Sequence, residues 1–326
     1  MLVPRLVRHL TLDRAQHPRG LPHLSAASGL VRVHDRFYVV ADDELHLGVF
    51  SANHRFDQPV ELIRVFEGVL PGAPKKRKSV KPDLEALALL PPSPIHPHGA
   101  LLALGSGSRP TREGGVLLGL DMQGGITGEP AQLDLSPLYA PLHTRFADLN
   151  IEGAFVADSA FLLLQRGNRS NGRNACIRYN LNQILRWLMD QQEQTPTIAS
   201  LQDVQLGGIN GVPLGLTDGA ALPGGFWLFS AVAENTHDSY HDGACMGSVI
   251  GIVGPDGSVL AQQALHGSPK VEGVAVQVDG ASLRLRMVTD ADDPAIAAQL
   301  LQVDWENALQ VASRRQLAFT TQVAKD

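Results

Sequence analysis

The chain has only two cysteines in 326 residues, Cys176 and Cys245, and no C-x-x-C spacing. That rules out a disulfide framework and fits a reducing compartment, with both thiols structural. Basic residues are also in deficit, with 27 Lys and Arg against 33 Asp and Glu and a net charge of -6. This balance argues against a general affinity for nucleic acid or an anionic membrane, both of which require basic surface. "KKRK" (75–78) is the local exception, and with no aromatic residue beside it it reads as a solvated loop. No stretch approaches the ~20 apolar residues of a membrane span. The opening "MLVPRLVRHLTLDR" has neither the apolar run nor the small-residue cleavage site of a secretory leader, so a cytoplasmic protein is expected. There is no G-x-S-x-G elbow, P-loop or H-E-x-x-H, which leaves α/β-hydrolase, nucleotide-binding and zincin chemistry without support.

What the chain does have is apolar residues, 44% of the total against 18% charged, in a pattern that repeats. Such a composition belongs to a globular chain, expected here to form a single domain over 1–326. Five segments align: "SAASGLVRV" (25–33), "PDLEALALL" (82–90), "NIEGAFVA" (150–157), "LTDGAALPGG" (216–225) and "KVEGVAVQV" (270–278). Their matched residues Ser28, Glu85, Glu152, Asp218 and Glu272 are 57, 67, 66 and 54 residues apart. Each segment opens a set of short strands of period two divided by turn residues. Four antiparallel strands repeated in this way predict a β-propeller of five blades, since a lone blade cannot bury both faces. The fifth copy lacks a clear fourth strand, and "RLVRHLTLD" (5–13) is the strand expected to close the ring. "SRRQLAFTT" (313–321) is its competitor, or the start of a sixth blade. One segment departs from the β pattern: "LNQILRWLMDQQEQ" (181–194) carries Leu181, Ile184, Leu185 and Leu188 at helical spacing.

In a propeller the first strand of each blade lies nearest the axis, and its start shares a face with the end of the second. Glu85, Glu152, Asp218 and Glu272 are therefore expected at one mouth of the channel, with Ser28 as fifth member. The second-strand ends add Arg109, Arg166, Asn168, Asn171, Arg173, Glu234 and Asp290 around them, and Lys270 stands near Glu272. Converging carboxylates raise one another's pKa and require a cation, a basic neighbour or a retained proton. Calcium suits an all-oxygen cage, which makes Glu85, Glu152, Asp218 and Glu272 the candidate metal ligands. The basic side chains are candidates to pair with these acids or to hold an anionic ligand. Each acid is equally a candidate clip, accepting from backbone N–H groups of the next blade. His237 and His241, four apart and flanked by Asp238 and Asp242, form a minor zinc candidate without a third histidine.

"DLNIEGAFVADSAFLLLQRGN" (148–168) and "KVEGVAVQVDGASLRLRMVTDADDP" (270–294) share an E-G opening, followed by apolar residues and an apolar second strand. In this the chain resembles bacterial β-propellers grouped as "esterase-like activity of phytase", over residues 25–305. The resemblance implies an acidic mouth that holds calcium and a phosphate ester. It carries over to Glu85, Glu152 and Glu272 at the motif glutamate and to Arg166 and Asp290 at the second-strand end. The first and fourth copies depart from it, with Ser28-Gly29 and Asp218-Gly219 in place of E-G. Two functions follow. In the first, calcium, Glu152, Glu272 and Arg166 hydrolyse an ester, with Arg173 gripping its anionic group. In the second, a non-catalytic propeller binds a small molecule or a protein partner.

Overall fold

A computed structural model describes residues 1–53, 58–238 and 243–323. Its strands form five antiparallel sheets around one axis, the five-bladed propeller expected from the repeat. Blade one comprises Ala27–Val33, Arg36–Ala41, His46–Ser51 and Glu61–Arg64, from the axis outward. Blade two comprises Leu84–Leu90, Ala100–Gly105, Gly114–Leu120 and Ile126–Asp134. Blade three comprises Ile151–Ala157, Ala160–Gln165, Ala175–Asn180 and Ile198–Asp203. Blade four comprises Val212–Ala221, Trp227–Glu234, Cys245–Val253 and Val259–Ala264, with a two-residue strand, Gly208–Ile209, paired to its first. Blade five comprises Val271–Asp279, Ser282–Thr289 and Gln299–Trp305, and its outer strand is Arg5–His9. Arg5 pairs with Gln302 and His9 with Gln299, so the N-terminal strand closes the ring.

The period-two signal weakens where burial is greatest. Strands in the middle of a blade face a neighbour on both sides and read as nearly continuous apolar runs. Ala100–Gly105 and Trp227–Glu234 are buried along their whole length, whereas Ile126–Asp134 at the rim buries only Leu133. The core is accordingly divided into five clusters, one between each pair of adjacent blades.

Among the described residues four α-helices lie outside the sheets, and none is long and apolar enough to cross a membrane. The predicted helix runs over Leu181–Met189, shorter than 181–194; Asn180 caps it by accepting from the Gln183 N–H at 3.2 Å, and Trp187 is buried beneath it. "SRRQLAFTT" is neither a closing strand nor a sixth blade. It lies in the helix Ala308–Val323, which packs Ala308 and Ala312 into the cluster between blades four and five. "KKRK" is not a loop either: Pro74 begins a helix over Pro74–Val80, in the connection from blade one to blade two, and Pro82 follows its end. Arg77 points inward from that helix and is buried.

Candidate functional site

A carboxylate can occupy an inner strand because the strand is broken at that point. In every blade the first strand carries a β-bulge at the same level. Ile151 pairs with Gln165 and Gly153 with Leu164, which leaves Glu152 as the extra residue. The same skip isolates Glu85 and Glu272, and in blade one it falls at Ser28-Gly29. A bulge bends the strand and re-aims the extra side chain, here into the mouth, which Ser28, Glu85, Glu152 and Glu272 all line. In blades one, three and five a glycine stands at or after the bulge, and it has its own cause; blade two has Ala86 there. A Cβ on Gly273 would lie 2.0 Å from the Ser28 carbonyl oxygen, and one on Gly153 would lie 2.9 Å from the Asp218 Cα. Inner strands pass in backbone contact at the axis of so small a ring.

Blade four corrects the sequence alignment by one residue. Its bulge isolates Thr217, and Asp218 takes the place of the glycine. Asp218 is buried between blades and does not line the mouth. Its carboxylate accepts from the N–H groups of Val274 and Gly219, each at 2.8 Å, and from that of Leu30. Burial drives its carboxyl well above the usual carboxylate range, against the pull of those three bonds. Thr217 donates to the Val271 carbonyl oxygen at 2.9 Å. Asp218 is thus a clip joining blade four to blades five and one, and it is not placed as a metal ligand beside the glutamates.

Two of the three mouth glutamates, Glu152 and Glu272, face cations. Arg166 Nη1 lies 3.2 Å from Glu152 and 3.6 Å from Glu272, and its Nη2 donates to Glu234. Lys270 lies 3.4 Å from Glu272, 3.6 Å from Glu234 and 2.5 Å from Asp292. On the opposite side Lys81 bridges Asp42 and Asp83, the latter at 2.8 Å, and Arg112 and Ser106 each donate to Asp83 at 2.6 Å. Asn168 also lines the mouth and donates to Asp148. Asp290 lines it from the end of the blade-five second strand.

Three expected members lie elsewhere. Arg173 reaches Asp203 at 2.8 Å and covers the Phe146 ring at 4.9 Å. Asn171 turns back on the Asn168 side chain through its backbone N–H. Arg109 is exposed at the head of the turn Pro110–Arg112, where Arg112 supplies the mouth cation instead. His241 and Asp242 of the zinc candidate lie outside the described residues; His237 is in contact with Ser170 at 3.4 Å.

Sequence reasoning passed over Asp83 and Asn150 as site residues. Both stand two residues before a motif glutamate, as Lys270 does before Glu272. Alternate residues of a strand share a face, so the period applied one step upstream of the motif would have found them.

Nine carboxylates and five cations line the mouth, and the excess is visible in its titration. Burial pushes Glu152 up to about 7, with Glu272 adding to the rise and Arg166 opposing it. Burial and the neighbouring Glu152 raise Glu85 well above the carboxylate range, and burial takes Asp42 to about 6. Glu85 makes no hydrogen bond or ion pair with any described residue. A carboxyl whose native pKa exceeds its unfolded value stabilises the fold below the unfolded pKa and loses that contribution as pH rises through the native one. Stability should therefore fall between about pH 4.5 and 7, by at most ~1.4 kcal/mol per pH unit for each such group. Urea melts across this range should show the Glu152→Gln variant with a shallower decline; an unchanged slope would refute the assignment.

Asp42, Asp83 and Glu85 each bring one oxygen within 4.8 Å of the others, the grouping of acids among the described residues closest to a cation site. Only Glu85 belongs to the set expected from sequence. A calcium ion could draw oxygen ligands from these three, but it would compete with Lys81, whose ammonium already joins Asp42 to Asp83.

Fold and mouth together define a five-bladed β-propeller with a buried acidic site at one end of its axis. The chain belongs to a family of unknown function, DUF6929, whose model matches residues 23–304. No curated protein matches it. Among solved structures it is similar to the apocarotenoid oxygenase of Synechocystis, at 12% identity over 86% of this chain and 58% of that one, with a TM-score of 0.37. It is also similar to the tail fibre of Staphylococcus aureus phage P68, at 11% identity over 96% and 56% of the two chains, TM-score 0.42. A third is AztD from Citrobacter koseri, at 8% identity over 86% and 72%, TM-score 0.29. The chain spans less than two thirds of the first two, and these likenesses say nothing about activity.

Proposed function

We propose that the mouth captures a small ligand rich in hydrogen-bond donors, an ammonium group or a set of hydroxyls, and that the protein acts by binding rather than turnover. Glu85 carries this reading: it is a carboxyl in the acidic mouth that no described residue meets by a hydrogen bond or ion pair, beside a second carboxyl, Glu152, that titrates near neutrality. The mouth's cations are committed by contrast. Arg166 is shared among three carboxylates, Lys270 among three and Lys81 between two. The unused valence is acidic, which favours a donor over an anion. Calorimetric titration with 1,4-diaminobutane and with glucitol tests this. At least one should bind, with proton release as the carboxyls ionise, and Glu85→Gln should weaken it tenfold or more, about 1.4 kcal/mol. Binding of neither probe would overturn it.

A second reading is a calcium-assisted hydrolase of phosphate or other esters, favoured by the Asp42–Asp83–Glu85 grouping and by the phytase-like resemblance. The ion would polarise the ester and acidify an attacking water. Arg166 and Arg173 would then have to leave their present carboxylates to hold the substrate. Calcium-dependent turnover of a nitrophenyl phosphate or acetate would establish this reading over the first.

A further inference from the structure

Beside the mouth lies a second chamber of about 220 Å³, between the Pro74–Val80 helix, the blade-one turn at Asp42-Asp43 and the blade-five turn at Asp290–Pro294. It shares Asp42, Lys78, Lys81, Asp290 and Asp292 with the mouth, so one ligand can reach both. Three of its wall residues carry buried polar atoms without a hydrogen-bond partner: Arg77, Ser25 and, through its Oδ1, the half-buried Asp43. Arg77 is 6% exposed; its Nε donates to the Pro71 carbonyl at 3.0 Å, but its Nη1 has no acceptor. The nearest carboxylates, Asp43 at 3.8 Å and Glu44 at 4.0 Å, are too far to accept and are bound by Arg19 instead. Ser25 is 3% exposed, and its Oγ has no hydrogen-bond partner.

Buried donors are rarely left unmet, and an unmet one calls for an explanation. A guanidinium edge and a hydroxyl on the wall of one chamber suit the two oxygens of a carboxylate. Burial and the nearby Arg19 depress the Arg77 pKa, against the pull of Asp43, Glu44 and Asp42. The same wall holds five aspartates against four cations, so a single negative charge is tolerated there better than a phosphate dianion.

We propose that this chamber takes the carboxylate of a small zwitterion, on Arg77 and Ser25, while the ammonium of the same molecule sits in the mouth at Glu85. The inference rests on the capture of a donor by the mouth and narrows its ligand class to amino acids and their relatives. The oxygens of Asp42, Asp83 and Glu85 lie within 4.8 Å of one another, and Asp42 stands on the shared wall, so the two subsites are neighbours.

The test is calorimetry on the full chain with 4-aminobutanoate, 5-aminopentanoate and 6-aminohexanoate, each against the alkylamine that lacks only the carboxylate. At least one amino acid should bind tenfold or more tightly than its amine. Arg77→Gln and Ser25→Ala should each shrink that ratio toward one. Should Arg77→Gln fail to fold, having lost its bond to Pro71, the smaller Ser25→Ala change and the wild-type ratios still decide. Ratios near one for all three pairs in the wild type would overturn the chamber's role and leave the mouth's intact. If amines and amino acids alike fail to bind, the zwitterion reading falls, and the mouth's falls with it only if glucitol fails as well.

Discussion

Replacing Arg166 with methionine should destabilise the protein by about 3–5 kcal/mol at pH 7.5, and by clearly less at pH 5. The guanidinium is the common partner of Glu152, Glu234 and Glu272, each no more than 7% exposed. Methionine keeps much of the volume and removes the charge, leaving three carboxylates in one buried space with Lys270 as their remaining close cation. Charges stranded in this way take up protons. The native variant then holds protons that its unfolded chain releases above about pH 4.5, so its stability recovers as pH falls toward that value. Urea denaturation at the two pH values measures this. A penalty that is equal at both, or below about 1 kcal/mol at pH 7.5, would show that the three acids do not depend on Arg166.

The second large effect belongs to a methyl group. Gly273→Ala places a Cβ 2.0 Å from the Ser28 carbonyl oxygen and 2.9 Å from the Leu30 nitrogen, both backbone atoms of the adjoining blade. A flexible side chain could move aside, but an inner strand cannot do so without parting blades five and one. The cost should therefore exceed the ~1–3 kcal/mol of ordinary overpacking. Gly72→Ala, where nothing lies within 4 Å, should stay within about 0.5 kcal/mol of wild type. Thermal melts of the two variants make the comparison, and similar melting temperatures would mean that the axis is looser than its geometry implies.

The ring of sheets was legible because each blade repeats a local signal, an apolar strand opened by E-G or a near variant. The closing strand was legible because blade five lacked a partner for Gln299–Trp305. The site was read more coarsely, for physical reasons. A bulge adds one residue without altering composition, so spacing alone aligned Asp218 with the glutamates although Thr217 holds their place. The long loops after the second strands signal polarity but not direction, and Arg173 and Arg109 turn away where Arg166 turns in. "KKRK" resembled a solvated run because two of its residues are exposed; only the helix phase shows that Arg77 is buried and that Lys78 reaches the mouth.

Pairing Arg5–His9 with Gln299–Trp305 joins residues almost three hundred positions apart. A ribosome releases the first of these long before it has made the second, so the outermost strand of the last blade must wait, unpaired, through nearly all of translation. Contacts so distant along the chain form slowly, and exposed strand edges invite association in the meantime. Deleting residues 1–9 should accordingly leave four intact blades and one open-edged one, a species prone to recruit a neighbour's strand into the gap.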